Sequence, residues 1–272
     1  MDRPELIASD VDGTLLDPLE RITRRTFDAV SRVTRSNTPF ILVSGRPPRW
    51  IPNVAQAAGL TGYAVCSNGG VVYDIAADRV VSSQDIDPIL LRDTAKALSA
   101  ALPDARLATE RVAPDLVPFV TQAGFRNPWG VPNGELDGEV NDVPLAEVIG
   151  HAATKLMVRQ HDLTSRELAA AAHDVLAGAA VEITFSTNQG LIEIAPAGVT
   201  KASGLAEVCA LLGVDRDRVV AFGDMPNDLP MLDWAGHGVA MANANAEVLA
   251  VADEVTATNG EDGVAQVLER WF

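Results

Sequence analysis

The sequence predicts an α/β fold: a core sheet of parallel strands with helices on both faces, carrying an inserted α+β cap. Three observations lead there. Short apolar runs alternate with amphipathic stretches, as strand–helix–strand units require. Each run ends in a polar, often glycine-bearing loop. The rhythm breaks near residue 82 and returns after residue 190, which assigns 1–82 and 191–272 to the core and 83–190 to the cap.

The elements follow in order. Leu6-Ile7-Ala8 is a first strand, apolar throughout because both faces of a parallel sheet are covered. An amphipathic helix begins near Thr23, with Phe27, Val30 and Val33 on one stripe. Residues 40–43 form a second parallel strand, Pro47 and Pro48 suit the first turn of a helix through Val54 and Ala55, and residues 63–66 form a third strand. Three strands thus end at one rim. In the cap, helices over 88–101 and 165–176 alternate with strands over 153–158 and 181–185, around a Pro-, Gly- and Asn-rich segment at 125–138. Residues 191–194 restore the core rhythm, followed by a helix over 201–212, a strand over 219–222, a helix near 229–234 and a strand over 238–241.

With 272 residues, 47% of them hydrophobic, the chain can bury two modest cores. Its 37 acidic against 21 basic residues leave a formal charge of −16, which disfavours nucleic acid and anionic membranes as partners. A small ligand fits better, and an anionic one would need a metal or a placed cation to reverse the local field. The two cysteines, Cys66 and Cys209, give neither a disulfide framework nor a zinc cluster. Both read as buried small hydrophobes, Cys209 on a face with Leu205, Val208 and Leu212. Residues 1–5 lack the regions of a signal peptide and no apolar run approaches the roughly 20 residues of a membrane span, so the expected address is cytoplasmic.

Asp10-Val11-Asp12-Gly13-Thr14 follows the first strand, at the carboxyl end where open α/β sheets form ligand crevices. Acids at i and i+2 of an extended chain project to one side and can share a substrate or metal. Gly13 permits a tight turn, and Thr14 can hydrogen-bond its own loop. A solvated acidic turn would use the same residues. A calcium loop would not, because Gly13 falls at its fourth position and Arg21 at its twelfth, where that loop needs glycine sixth and glutamate twelfth.

A second acidic segment, Gly223-Asp224-Met225-Pro226-Asn227-Asp228, follows another apolar strand. Asp224 and Asp228, with Asp10 and the Asp12 carbonyl, offer the hard oxygen ligands that Mg2+ prefers. Four such acids repel one another without a cation between them. Taken alone, the segment would also suit a helix cap at Asp224 or Asn227. Lys201 opens a helix capped by Thr200, where a cation opposes the helix dipole unless an anion lies close. That position marks a phosphate contact or, viewed alone, an exposed lysine. Ser44 and Gly45 can offer a hydroxyl and backbone N–H groups to the same anion.

In order, Asp10-Val-Asp12-Gly-Thr, Ser44-Gly-Arg46, Lys201 and Gly223-Asp224-x-x-Asn227-Asp228 resemble the four motifs of the haloacid dehalogenase-like (HAD) hydrolase superfamily. Ser67-Asn68-Gly69-Gly70 and residues 196–201 are similar to its Cof-type subclass, which carries a large α/β cap between the second and third motifs. The resemblance implies a Rossmann-like core and a phosphatase acting on a small phosphorylated metabolite. It implies that Asp10 is the nucleophile and that Asp12 protonates the leaving alcohol and then activates water. Ser44, Gly45 and Lys201 would hold phosphate, with Asn227 assisting. Mg2+ would sit on Asp10, Asp224 and, through its carbonyl, Asp12, with Asp228 binding it directly or through water. Asn68 would touch substrate or cap a turn, and Arg46 would pair with carboxylates or approach phosphate. Specificity is expected in the cap, where Trp129, Arg126, Asn127, Arg111 and His161 are substrate candidates or ordinary surface and packing.

The implied substrates are sugar phosphates, pyridoxal phosphate or flavin-related phosphates. A phosphomutase of the same superfamily is the enzymatic alternative, and a non-catalytic phosphate sensor the alternative of another class. Against the sensor, a binder has no need of a nucleophile beside a proton donor. Nucleotide-triphosphate, dinucleotide, zinc-protease and serine-hydrolase motifs do not occur in the sequence.

Overall fold

In chain order the elements are Leu6–Ser9 (β1), Arg24–Arg35 (α1), Phe40–Val43 (β2), Ile51–Ala58 (α2), Tyr63–Cys66 (β3), Val71–Asp74 (β4) and Arg79–Ser83 (β5). Next come Pro88–Ala101 (α3), Arg106–Glu110 (β6), Phe119–Gln122 (β7), Glu139–Val143 (β8), Leu145–Val148 (α4), Lys155–Arg159 (β9), Ser165–Val175 (α5), Val181–Thr184 (β10) and Leu191–Pro196 (β11). Lys201–Leu212 (α6), Val219–Gly223 (β12), Leu229–Trp234 (α7), His237–Ala240 (β13), Ala246–Val251 (α8), Glu254–Val255 (β14) and Gly263–Leu268 (α9) complete the chain. The computed structural model describes residues 2–126 and 139–272. It divides into one unit of Met1–Ser82 with Val199–Phe272 and a second of Ser83–Gly198.

The first unit is built on a sheet of order β14-β13-β12-β1-β2-β3-β4-β5. Strands β1, β2, β3, β12, β13 and β14 pair in parallel and β4 returns antiparallel to β3. Alternate residues of the parallel strands point to opposite faces. Leu6, Ala8, Ile41, Val43, Val219 and Ala221 meet Leu205 and Val208 of α6, Met231 and Leu232 of α7 and Val248 of α8. On the other face α1 packs on β2 beside α2 and α9, burying Thr26, Ala29, Val30 and Val33. Each Val or Leu so buried contributes about 1.5–3 kcal/mol, which makes the sheet a rigid base for the loops at its rim. From β1 the chain proceeds to β2 and β3 on one side, while β12, β13 and β14 lie on the other. The carboxyl ends of β1 and β12 therefore flank a topological switch point.

The second unit holds a sheet of order β10-β11-β9-β6-β7-β8, antiparallel except for β7 with β8. Helix α5 starts at a capping box, with Thr164 accepting from the Glu167 amide and the Glu167 carboxylate reaching back. Helices α3 and α5 bury Leu91, Leu98, Leu168 and Ala172. Lys155 of β9 bonds the Glu193 carboxylate of β11, both side chains being buried.

The boundary expected at residue 191 is corrected. Strand β11 pairs antiparallel with β9 and β10, so residues 191–196 belong to the second sheet and the division falls between Gly198 and Val199. Both cysteines are buried, as expected, and burial pushes the Cys209 thiol up to about 11. Leu212 instead stays 37% exposed at the end of α6. No helix among the described residues is long and apolar enough to cross a membrane.

Candidate active site

The segment after β1 folds tightly against the loop after β12. Gly13 has a φ of 76°, and a Cβ there would lie 2.4 Å from Asp224 Oδ2, so both backbone and space demand glycine. Thr14 Oγ1 donates to Asp224 Oδ1 at 2.8 Å, a cross-loop bond where a bond within its own turn was expected. The Asp224 amide and the Met225 amide both donate to Asp228 Oδ2 at 2.9 Å, which turns the other Asp228 oxygen inward.

That oxygen meets Lys201. The ammonium, on the first residue of α6 behind the Thr200 cap, donates to Asp10 Oδ1 at 2.7 Å and to Asp228 Oδ1 at 2.6 Å. The lysine is fully buried, and the two carboxylates outweigh the burial that would otherwise discharge it, so its pKa is raised. The cation at the helix start thus has its anions, supplied by the protein itself.

One ammonium does not balance the site. Asp10, Asp224 and Asp228 each present an oxygen within 4.8 Å of the others, all three residues buried. Two like charges about 4 Å apart repel by about 4 kcal/mol at an effective dielectric of 20. Burial accordingly raises the Asp10 carboxyl well above its usual range despite Lys201, and burial with the Asp228 charge pushes Asp224 up to about 7 despite the bond from Thr14. Hard oxygen donors, surplus negative charge and a rigid base are the properties of a divalent-cation site, so these residues fit one.

Asp12 and Arg46 form a second pair. Arg46 embraces the Asp12 carboxylate with Nε at 2.9 Å and the terminal nitrogen at 2.5 Å. The Arg46 pKa is raised because this bond outweighs partial burial. Of the two expectations for Arg46, the carboxylate partner is the one found. The Asp12 side chain is half-exposed and its carboxylate stands apart from the triad. Ser44 is buried, and its Oγ accepts from the Arg46 amide at 3.1 Å. Asn227 Nδ2 donates to Asn68 Oδ1 at 3.0 Å, and Gly45 leaves room for that oxygen, which a Cβ would approach to 3.0 Å.

The sequence did not single out the loop after β13. Asn243 Nδ2 donates to the Gly13 carbonyl at 2.9 Å, and the Asn245 amide to the Asp224 carbonyl at 2.8 Å, so both acidic loops are braced from there. Its only signal was position, since β13 ends at the same rim. Of the cap candidates, Arg111 is buried and spends its terminal nitrogen on the Glu147 and Val148 carbonyls, a packing role. His161 and Arg126 are exposed, while Asn127 and Trp129 lie outside the described residues.

Comparison with known proteins gives the family and the fold. A family model described as haloacid dehalogenase-like hydrolase matches residues 7–268. The chain is 30% identical to a 5-amino-6-(5-phospho-D-ribitylamino)uracil phosphatase of Bacillus subtilis, over 99% of this chain and 98% of the relative. It is 29% identical to a pyridoxal phosphate phosphatase of Escherichia coli, over 97% of each. Its fold matches the solved structure of a haloacid dehalogenase-like hydrolase from B. subtilis with a TM-score of 0.82, at 20% identity, over 98% of this chain and all of the other.

Proposed function

The chain belongs to the haloacid dehalogenase-like hydrolase family and is an enzyme by that membership; from that premise we propose a Mg2+-dependent phosphatase that hydrolyses a small organic phosphomonoester through an aspartyl-phosphate on Asp10. The observation that carries the proposal is the single Lys201 ammonium bonded to Asp10 and Asp228 with Asp224 beside them. The oriented carboxylate is a nucleophile, and the surplus charge calls for a cation.

Asp10, Asp224 and Asp228 would hold the ion, with the Asp12 carbonyl as the further ligand expected from the sequence. Bound there, Mg2+ would offset the carboxylates and stabilise charge on phosphoryl oxygens. In the proposed reaction an Asp10 oxygen attacks phosphorus, the bond from phosphorus to the organic oxygen breaks, and Asp12 gives its proton to the leaving alkoxide. Water then attacks the phosphorus of the acyl phosphate and returns a proton to Asp12, releasing phosphate and Asp10. Arg46 holds both Asp12 oxygens, and the proposed scheme assigns a loosening of that fork to substrate entry. Ser44 Oγ accepts from the Arg46 amide and keeps its own O–H to donate to a phosphoryl oxygen, beside Gly45, Lys201 and Asn227.

The substrate classes are sugar phosphate, pyridoxal phosphate and flavin-related phosphate, the last two carried by the names of the relatives. We assign the choice among them to the second unit. Exchanging residues 83–198 for those of a relative is expected to transfer that relative's preference. The test of the function is phosphate release from a panel of such monoesters, with Mg2+ and with chelator. Chelation is expected to abolish turnover, and Asp10→Asn to lower it roughly a thousandfold or more. Undiminished turnover by Asp10→Asn would remove the nucleophile from the scheme.

A further inference from the structure

The turn joining β3 to β4 has three consecutive residues at positive φ: Ser67 at 50°, Asn68 at 56° and Gly69 at 101°. Only the last is glycine. Two residues with side chains are therefore held where such residues rarely sit, which requires the surroundings to over-determine them.

The surroundings are the site itself. The amides of Ser67 and Asn68 donate to the carbonyls of Arg46 at 2.9 Å and Ser44 at 3.1 Å, lacing the turn to Ser44-Gly45-Arg46. Gly69 abuts the start of α6, where a Cβ would lie 1.9 Å from the Thr200 oxygen and 3.2 Å from the Lys201 nitrogen. Asn68 Oδ1 accepts from Asn227 Nδ2, inside the loop that carries Asp224 and Asp228. One turn thus touches three segments that are far apart in sequence and that the proposed reaction needs in register.

Asn227 is the informative partner. It is 5% exposed, its nitrogen is held by Asn68, and its Oδ1 is buried without a hydrogen-bond partner. A buried amide oxygen left unbonded is costly. Rotating the Asn227 amide alone would set its oxygen against Asn68 Oδ1, so the bond to Asn68 holds it in one orientation. We propose that Asn68 is a positioning residue that acts through Asn227, holding one N–H of the Asn227 amide so that the other is kept in place to donate to a phosphoryl oxygen. The kinetic part of this inference rests on the phosphatase reading, while the structural part does not.

Two variants separate the possibilities. Asn68→Gly keeps the left-handed backbone and removes the acceptor, whereas Asn68→Asp keeps both the backbone and an acceptor oxygen. Hydrogen exchange of the Asn227 side-chain amide, followed by NMR, is expected to be slow in the parent and in Asn68→Asp and fast in Asn68→Gly. Asn68→Gly is expected to lower kcat about 10- to 100-fold with little change in KM, by one common factor for bulky and minimal phosphomonoesters. Added to Asn227→Ala, it should lower kcat no further, because both changes break one interaction. Parent-like exchange in Asn68→Gly, multiplicative losses in the double variant, or a loss confined to KM for one organic group would each overturn the proposal. If the parent hydrolyses no monoester, the phosphatase reading falls, and amide exchange alone decides whether Asn68 holds Asn227.

Discussion

Two buried lysines, one in each unit, show how chemistry and architecture use the same residue differently. Lys155 sits within strand β9, bonded to Glu193 of the neighbouring β11 and opposite Glu110 of β6 in register. It belongs to a regular ladder, with its partners on adjacent strands. Lys201 begins a helix, bonds two carboxylates on loops after different strands, and leaves a third acid nearby. Its surroundings hold raised Asp10 and Asp224 pKa values and a strained turn, features that a purely structural ion pair has no use for. Excess charge held at loop ends, more than burial of a charge, marks the functional region.

The comparison can be broken most directly by exchanging the lysines. Lys201→Met is expected to lower phosphate release roughly a thousandfold, because it removes the ammonium bonded to Asp10 that the proposed reaction uses to neutralise phosphate. The paired replacement of Lys155 and Glu193 by Met and Leu is expected to leave turnover within a few-fold of the parent, since a buried pair can give way to apolar packing at little cost. Equal losses in the two assays would erase the distinction.

The next largest effect concerns stability. Lys155→Ala leaves Glu193 without its ammonium and should cost about 3–5 kcal/mol in denaturant unfolding. Asp224→Asn should do the reverse in the presence of chelator, raising the melting temperature while abolishing turnover. Asp224 in the folded protein has a pKa of about 7 against 3.8 for an ordinary aspartate. The metal-free fold therefore gains stability from this group as pH falls through 7 toward 3.8, and carries a penalty above that window. The advantage of Asp224→Asn should be full above pH 7 and vanish as pH approaches 3.8. An advantage that grows on acidification would contradict the assignment.

A smaller effect sharpens the contrast from the quiet side. Thr164→Ala removes the cap of α5 and should cost about 1 kcal/mol in unfolding without altering turnover per folded molecule.

How much of this was legible in the sequence depended on how local each signal was. Asp10, Asp224 and Lys201 were readable because each stands at the end of an apolar strand or the start of a capped helix, and parallel sheets collect such ends at one rim. The bond from Thr14 to Asp224, the brace from Asn243 and the identity of Asp12 as the carboxylate that Arg46 holds were not. They depend on which strands become neighbours, β1 beside β12 and β2, and on side-chain direction across loops. The misplaced boundary at residue 191 has a local cause. Leu191-Ile192-Glu193-Ile194 resembles a core strand in composition, but Glu193 interrupts the apolar run, whereas β1, β2 and β12 carry no charge. That interruption was the trace of an antiparallel ladder with a buried lysine waiting across it.

The central claim is that the Asp10 carboxylate becomes covalently phosphorylated during turnover. The direct measurement is an acid quench of the enzyme with substrate and Mg2+, borohydride reduction of any acyl phosphate, and peptide mass spectrometry. Reduction of residue 10 to homoserine, dependent on both substrate and Mg2+, is the result expected. Phosphate released with residue 10 unmodified, or with the adduct on another residue, would contradict it.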